Sequence, residues 1–114
     1  MPVLYKIMQQ SQWEATQLRG MFVGSEIDLK DGFIHLSASH QVRETAEKHF
    51  GGQSGLCLVS VNSEKLGDIL KWEVSRGGAL FPHVYGQLSF ASIDAASPLP
   101  LRNGKHIFPE SFTS

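Results

Sequence analysis

Two short segments hold most of the side chains able to do chemistry, Asp31–Ser37 (DGFIHLS) and Phe81–Gly86 (FPHVYG), with Glu73 lying between them in the chain. In an extended strand His35 shares a face with Phe33 and Ser37, and Ile34 and Leu36 take the other. Imidazole can give or take a proton near neutral pH. Ser37, at a predicted strand-to-helix junction, stands beside backbone amides that favour an anionic ligand atom. The plainer account of His35 is a core histidine bonded to a carbonyl; Ser37 beside it argues for more. His83 and Tyr85 likewise project from one face, with Val84 on the other. Gly77, Gly78 and Gly86 flank them and permit close approach of a ligand to the backbone. The plainer account there is an edge turn with two half-buried rings. Glu73 shares a strand face with Lys71, so it is either half of a surface ion pair or a carboxylate aimed into a site.

Other chemistries find less support. The chain has five histidines, but His40 and His49 are nine residues apart on one predicted helix, over two turns separated. No H-x-x-x-H or Cys–His spacing occurs, so a metal site requires His35 and His83 to meet by folding, and no metal is expected. Cys57, the single cysteine, lies in an apolar run where a thiolate is penalised. It can form no intrachain disulfide, which suits a reducing cytoplasm. No phosphate-binding or dinucleotide glycine loop is present. A net charge of −1 with scattered Lys and Arg leaves no footprint for DNA or an anionic membrane. Without a signal-like N-terminus or a run of spanning length, the expectation is a cytoplasmic protein.

The elements that must position these residues fit one domain over 1–114, with a core at about 3–93 and an irregular tail from 97 to 114. Val3 to Met8 reads as a strand. Ser11-Gln12-Trp13-Glu14 has capping-box spacing and starts a helix that ends near Gly20. Met21 to Lys30 reads as loop, and Asp31-Gly32 turns the chain into a strand over Phe33–Ser37. A helix follows over Ala38–Phe50, capped by Ser37 or Ser39, with Val42, Ala46 and Phe50 as its buried stripe. Leu56–Val61 is apolar on both faces, as a central strand should be. Ile69–Ser75 alternates, with Leu70, Trp72 and Val74 inward, and Leu88–Ile93 is a further strand. Trp13, Val42, Ala46, Phe50, Leu56, Leu58, Val59 and Trp72 form the expected core. Two helices among several strands, without strict alternation, indicate α+β.

Asp31–Ser37, Trp72-Glu73 and Phe81–Gly86 together resemble the small bacterial family called domain of unknown function 952, over about Val3 to Ile93. A more distant likeness is to the ADP-ribosyltransferase fold, a small split β-sheet domain that binds NAD. Leu4-Tyr5-Lys6 and the Trp13 helix look like its first strand and helix, and Phe33–Ser37 looks like its second strand. Those enzymes carry a ribose-binding His or Arg in the first strand, and this chain departs from them with Lys6 near that position. Glu73 is the nearest acid to their late Glu or Gln, though early in order. This likeness implies NAD as a substrate, with His35, Ser37 and Tyr85 binding it and His35, His83, Tyr85 and Glu73 as the catalytic set. His35 would fix the ribose hydroxyls, Tyr85 would wall the nicotinamide, and Glu73 would face the sugar as oxocarbenium character develops. Fold alone does not determine function. Two readings compete with a nucleotide-binding domain: a hydrolase using His35 and His83 as acid and base, and a binding module without catalysis. No protein partner is indicated.

Overall fold

The computed structural model describes residues 3–110 and Phe112. Its frame is a four-stranded antiparallel sheet in the order β4-β1-β5-β9, made by β1 (Val3–Gln9), β4 (Ser37–Ala38), β5 (Leu56–Asn62) and β9 (Ile93–Leu99). β5 is central and apolar on both faces because both are covered. One face presents Leu4, Met8, Cys57, Val59 and Val61 to a core shared with Phe22, Ile34, Leu36, Val84 and Leu88. The other presents Ile7, Leu56, Leu58 and Leu99 to Val42 and Ala46 of α3 (Val42–Phe50) and to Phe112.

Over the first face lies a three-stranded sheet in the order β3-β7-β6, from β3 (Ile34–His35), β6 (Leu70–Val74) and β7 (Leu80–Val84). A short pairing of β2 (Met21–Phe22) with β8 (Leu88–Ser89) completes that side. α1 (Gln10–Arg19) adds Trp13, half-buried and stacked on Phe90 at 5.9 Å. No helix among the described residues is long and apolar enough to cross a membrane.

The fold is mixed, with several antiparallel sheets and three helices rather than two. The additional helix, α2 (Glu26–Asp31), occupies the segment expected to be loop. Ser25 caps it in a capping box with Asp28, and Gly32 ends it at φ 86°, a left-handed turn that glycine adopts without strain. At α1 the box belongs to Gln9 and Gln12, two residues before the Ser11–Glu14 pair. The 33–37 strand divides, because β3 pairs with β7 while β4 pairs with β1 in the other sheet. α3 starts after Gln41 rather than after Ser37 or Ser39.

Three expected core residues are not fully in the core, Trp13 being half-buried on α1. Trp72 is 41% exposed and Val74, also expected inward, 70%, because β6 is the outer strand of its sheet and it is the Leu70 end of that face that packs against the core. Phe50 is half-buried against the α3 side. The chain after Leu88 also differs from expectation. A 3-10 turn over 90–92 separates β8 from β9, and β9 runs on to Leu99, fully buried within the supposed tail. β10 (Leu101–Arg102) and β11 (Lys105–His106) then form a hairpin before Phe112 packs edge-on against Tyr5.

Candidate functional site

The three-stranded sheet gathers the chemistry. Register sets His35 opposite His83 and His83 opposite Lys71, with Glu73 opposite Phe81. Directly opposed residues share a face, so His35, His83, Lys71 and Glu73 all point one way. Tyr85, two residues beyond His83, follows them. The imidazoles of His35 and His83 meet edge to face at 5.5 Å between centroids. Phe33 lies over both, 4.6 Å from His35 and 4.1 Å from His83, and 5.3 Å from Tyr85.

Each histidine turns its Nδ1 to a carboxylate. His83 Nδ1 is 2.7 Å from Glu73 Oε1, and the Tyr85 hydroxyl donates to the same oxygen at 2.7 Å. The hydroxyl bond of Tyr85, then the His83 bond, hold the Glu73 carboxyl below its ordinary value. The same bond to Glu73 raises Tyr85, whose proton is shared with a carboxylate. Glu73 is therefore ionised at neutral pH, and both bonds fall on Oε1.

His35 is held from two sides. Its Nδ1 is 2.6 Å from Asp28 Oδ1 and its Nε2 is 2.9 Å from Asp31 Oδ2. Asp28 also accepts from the amides of His35 at 3.1 Å and Ser25 at 2.9 Å, and from Lys6 Nζ at 2.9 Å. Lys6 Nζ donates in turn to the His35 carbonyl at 3.0 Å. Burial alone would push the Asp28 carboxyl up. The His35 bond, the Lys6 charge and the Ser25 amide outweigh it and hold the group well below the usual carboxylate range. Burial pushes the Lys6 ammonium down, and Asp28 pulls it partly back.

Ser37 does not join this group. It is buried on β4, where its hydroxyl lies 3.0 Å from Thr45 Oγ1 on α3. The break between β3 and β4 sends it into the other sheet. Asp28 and Asp31 are the residues whose part in the site the sequence reading did not identify, and Lys6, set near a ribose-binding position by the resemblance, is instead the buried partner of Asp28. Ser25-Glu26-Ile27-Asp28 does carry the capping-box pattern, and a lysine inside an apolar strand implies a buried partner.

A cavity of about 250 Å³ lies elsewhere. It sits on the α3 side of the four-stranded sheet, against Tyr5, Leu58, Ser60, Ser97 and Phe112. Among the described residues no group of three or more His, Cys, Asp or Glu side chains is arranged to hold a metal ion.

Fold and site together define a small mixed α/β protein whose distinguishing feature is a pair of carboxylate-bound histidines under one aromatic ring. The chain belongs to the family described as "Protein of unknown function (DUF952)", whose model matches residues 7–96. It is similar to protein CC0527 from Caulobacter crescentus. The crystal structure of that protein is 47% identical, with a TM-score of 0.89 over 92% of this chain and 93% of that one. Its solution NMR structure gives 47% identity and a TM-score of 0.82, covering 93% and 91%. No curated protein matches the chain.

Proposed function

We propose that the His35–His83 site binds a nucleotide of the NAD type and acts on its ribosyl bond, in the manner of an ADP-ribosyltransferase. The observation that carries this reading is the state of Glu73. His83 and Tyr85 both bond its Oε1, which orients the carboxylate and leaves Oε2 to a ligand. When nicotinamide leaves, positive charge develops on the ribose, and a fixed, ionised carboxylate at its face lowers the barrier. Phe33 and Tyr85 supply the aromatic wall that a nicotinamide or adenine ring would stack on. His35, with about a third of its side chain exposed, is placed to exchange its Asp31 bond for a ribose hydroxyl. Ser37 has no part, since its hydroxyl faces α3.

Thermal shift and calorimetry with NAD, ADP-ribose and AMP test binding; a ligand at a hundred times its dissociation constant adds about 2.7 kcal/mol. Nicotinamide release from NAD tests the chemistry, and Glu73→Gln should abolish it while NAD still binds. If none of the three ligands binds at millimolar concentration, the reading fails.

A second reading, a hydrolase on another small molecule, is favoured by one feature. Glu73 orients His83 through Nδ1, which leaves Nε2 as the basic edge. Under that reading His83→Ala abolishes turnover and NAD has no effect on the melting temperature.

A further inference from the structure

We infer that β6 is a homodimerisation edge, and that two copies of the chain pair antiparallel through it about a two-fold axis at Trp72. Among the described residues β6 is an outer strand of its sheet, bonded only to β7, and its other side has no strand partner. Across the β6–β7 ladder the Tyr85 amide donates to the Ile69 carbonyl and the Ser75 amide donates to the Ala79 carbonyl. By alternation the amides and carbonyls of Leu70, Trp72 and Val74 then point outward. Free edges of this kind pair with another strand unless they are short, bulged, covered, interrupted by proline or lined with charges that the partner does not match. β3 and β4 are two residues each, and β9 carries Pro98. β6 has five residues and no proline.

The sequence of β6 is complementary to itself in a single register. Outward groups on even-numbered residues confine an antiparallel pair to registers that set even residues opposite even ones. Centred on Trp72, the pairing sets Leu70 against Val74 of the second copy and Trp72 against Trp72. It also places Lys71 against Glu73 of the second copy, twice, at the closely spaced non-hydrogen-bonded positions. A shift centred on Lys71 opposes two lysines, and one centred on Glu73 opposes two glutamates. On the opposite face the pairing adjoins Trp72, Val74 and Leu80, exposed by 41%, 70% and 53%. It would join the two three-stranded sheets into one of six strands, with both candidate sites on the same face. Lys71 of each copy would reach the Glu73 rim of the other. An edge of this length buries less than the roughly 1,200 Å² of a standard interface, so the dimer is weak and concentration-dependent.

Sedimentation equilibrium of the full chain, from micromolar to millimolar concentration, should show the mass rising towards twice the monomer. Amide resonances of Leu70, Trp72 and Val74 should move with dilution. Lys71→Glu should weaken dimerisation at least about tenfold, and Lys71→Glu/Glu73→Lys should recover it. Val74→Pro, which removes an outward amide and leaves the β7 ladder intact, should give a monomer, with circular dichroism confirming the fold. A chain that stays monomeric at millimolar concentration overturns the inference. So does a dimer indifferent to Lys71→Glu, or one whose dilution shifts lie away from β6.

Discussion

The two carboxylate–histidine pairs have the same bond and opposite burial. In one, Asp28 is 1% exposed and His35 31%; in the other, Glu73 is 38% exposed and His83 5%. Asp28 is enclosed by four donors, one of them a buried lysine, so its charge is compensated inside the fold. Glu73 has its imidazole partner beneath it and a side chain partly open to solvent, with both bonds on Oε1. Equal distances therefore do not mean equal roles. The first pair holds α2, β1 and β3 together and presents a ring; the second holds a ring still and presents a carboxylate.

Removing Asp28 should have the largest effect. Asp28→Asn leaves the Lys6 ammonium buried without its counter-charge, which should cost about 3–5 kcal/mol in urea denaturation. If the loss is small, the first pair is not the structural anchor described above.

Acid should separate the pairs next. The Asp28 carboxyl is lowered by folding, so the unfolded chain binds more protons and stability is lost as the pH falls. That loss begins below about 3.9, the ordinary carboxyl value, and continues towards the depressed value in the fold. Wild type should show this acid limb, Asp28→Asn should lose most of it, and Glu73→Gln should retain it. Melting curves across the acid range read all three.

Glu73→Gln should leave the urea midpoint nearly unchanged, because the group is at the surface. Nicotinamide release should nevertheless be lost. A large stability loss would make Glu73 a second anchor and erase the contrast.

The smallest effect is spectroscopic. The bond to Glu73 raises the Tyr85 phenol, so the phenolate forms above its usual value of about 10. In Glu73→Gln the midpoint of that one tyrosine should move down, read as ultraviolet absorbance in alkaline solution.

Alternation along the chain was enough to place His35 and Phe33 on one strand face and His83 and Tyr85 on another. Apolar runs were enough to mark β5 as central and Val42 and Ala46 as buried, since both features depend on local period. Trp72 shows where that reasoning stops. Its alternation with Lys71 and Glu73 was correct, but whether its face is covered depends on β6 lying at the outside of its sheet. Leu99 shows the converse: proline-rich surroundings read as irregular tail, yet β5 has a free side that only β9 fills. The six residues of α2 are too few to show a helical period, although Ser25 and Asp28 carried its capping signal. What the sequence alone determined was which side chains share a face within an unbroken strand, because that follows from the two-residue repeat of the backbone. That Lys6, Asp28 and His35 meet, that Ser37 departs, and that Glu73 rather than Asp28 faces solvent were decided only by tertiary structure. Each depends on which strands pair and which face is covered, contacts between segments far apart in the chain.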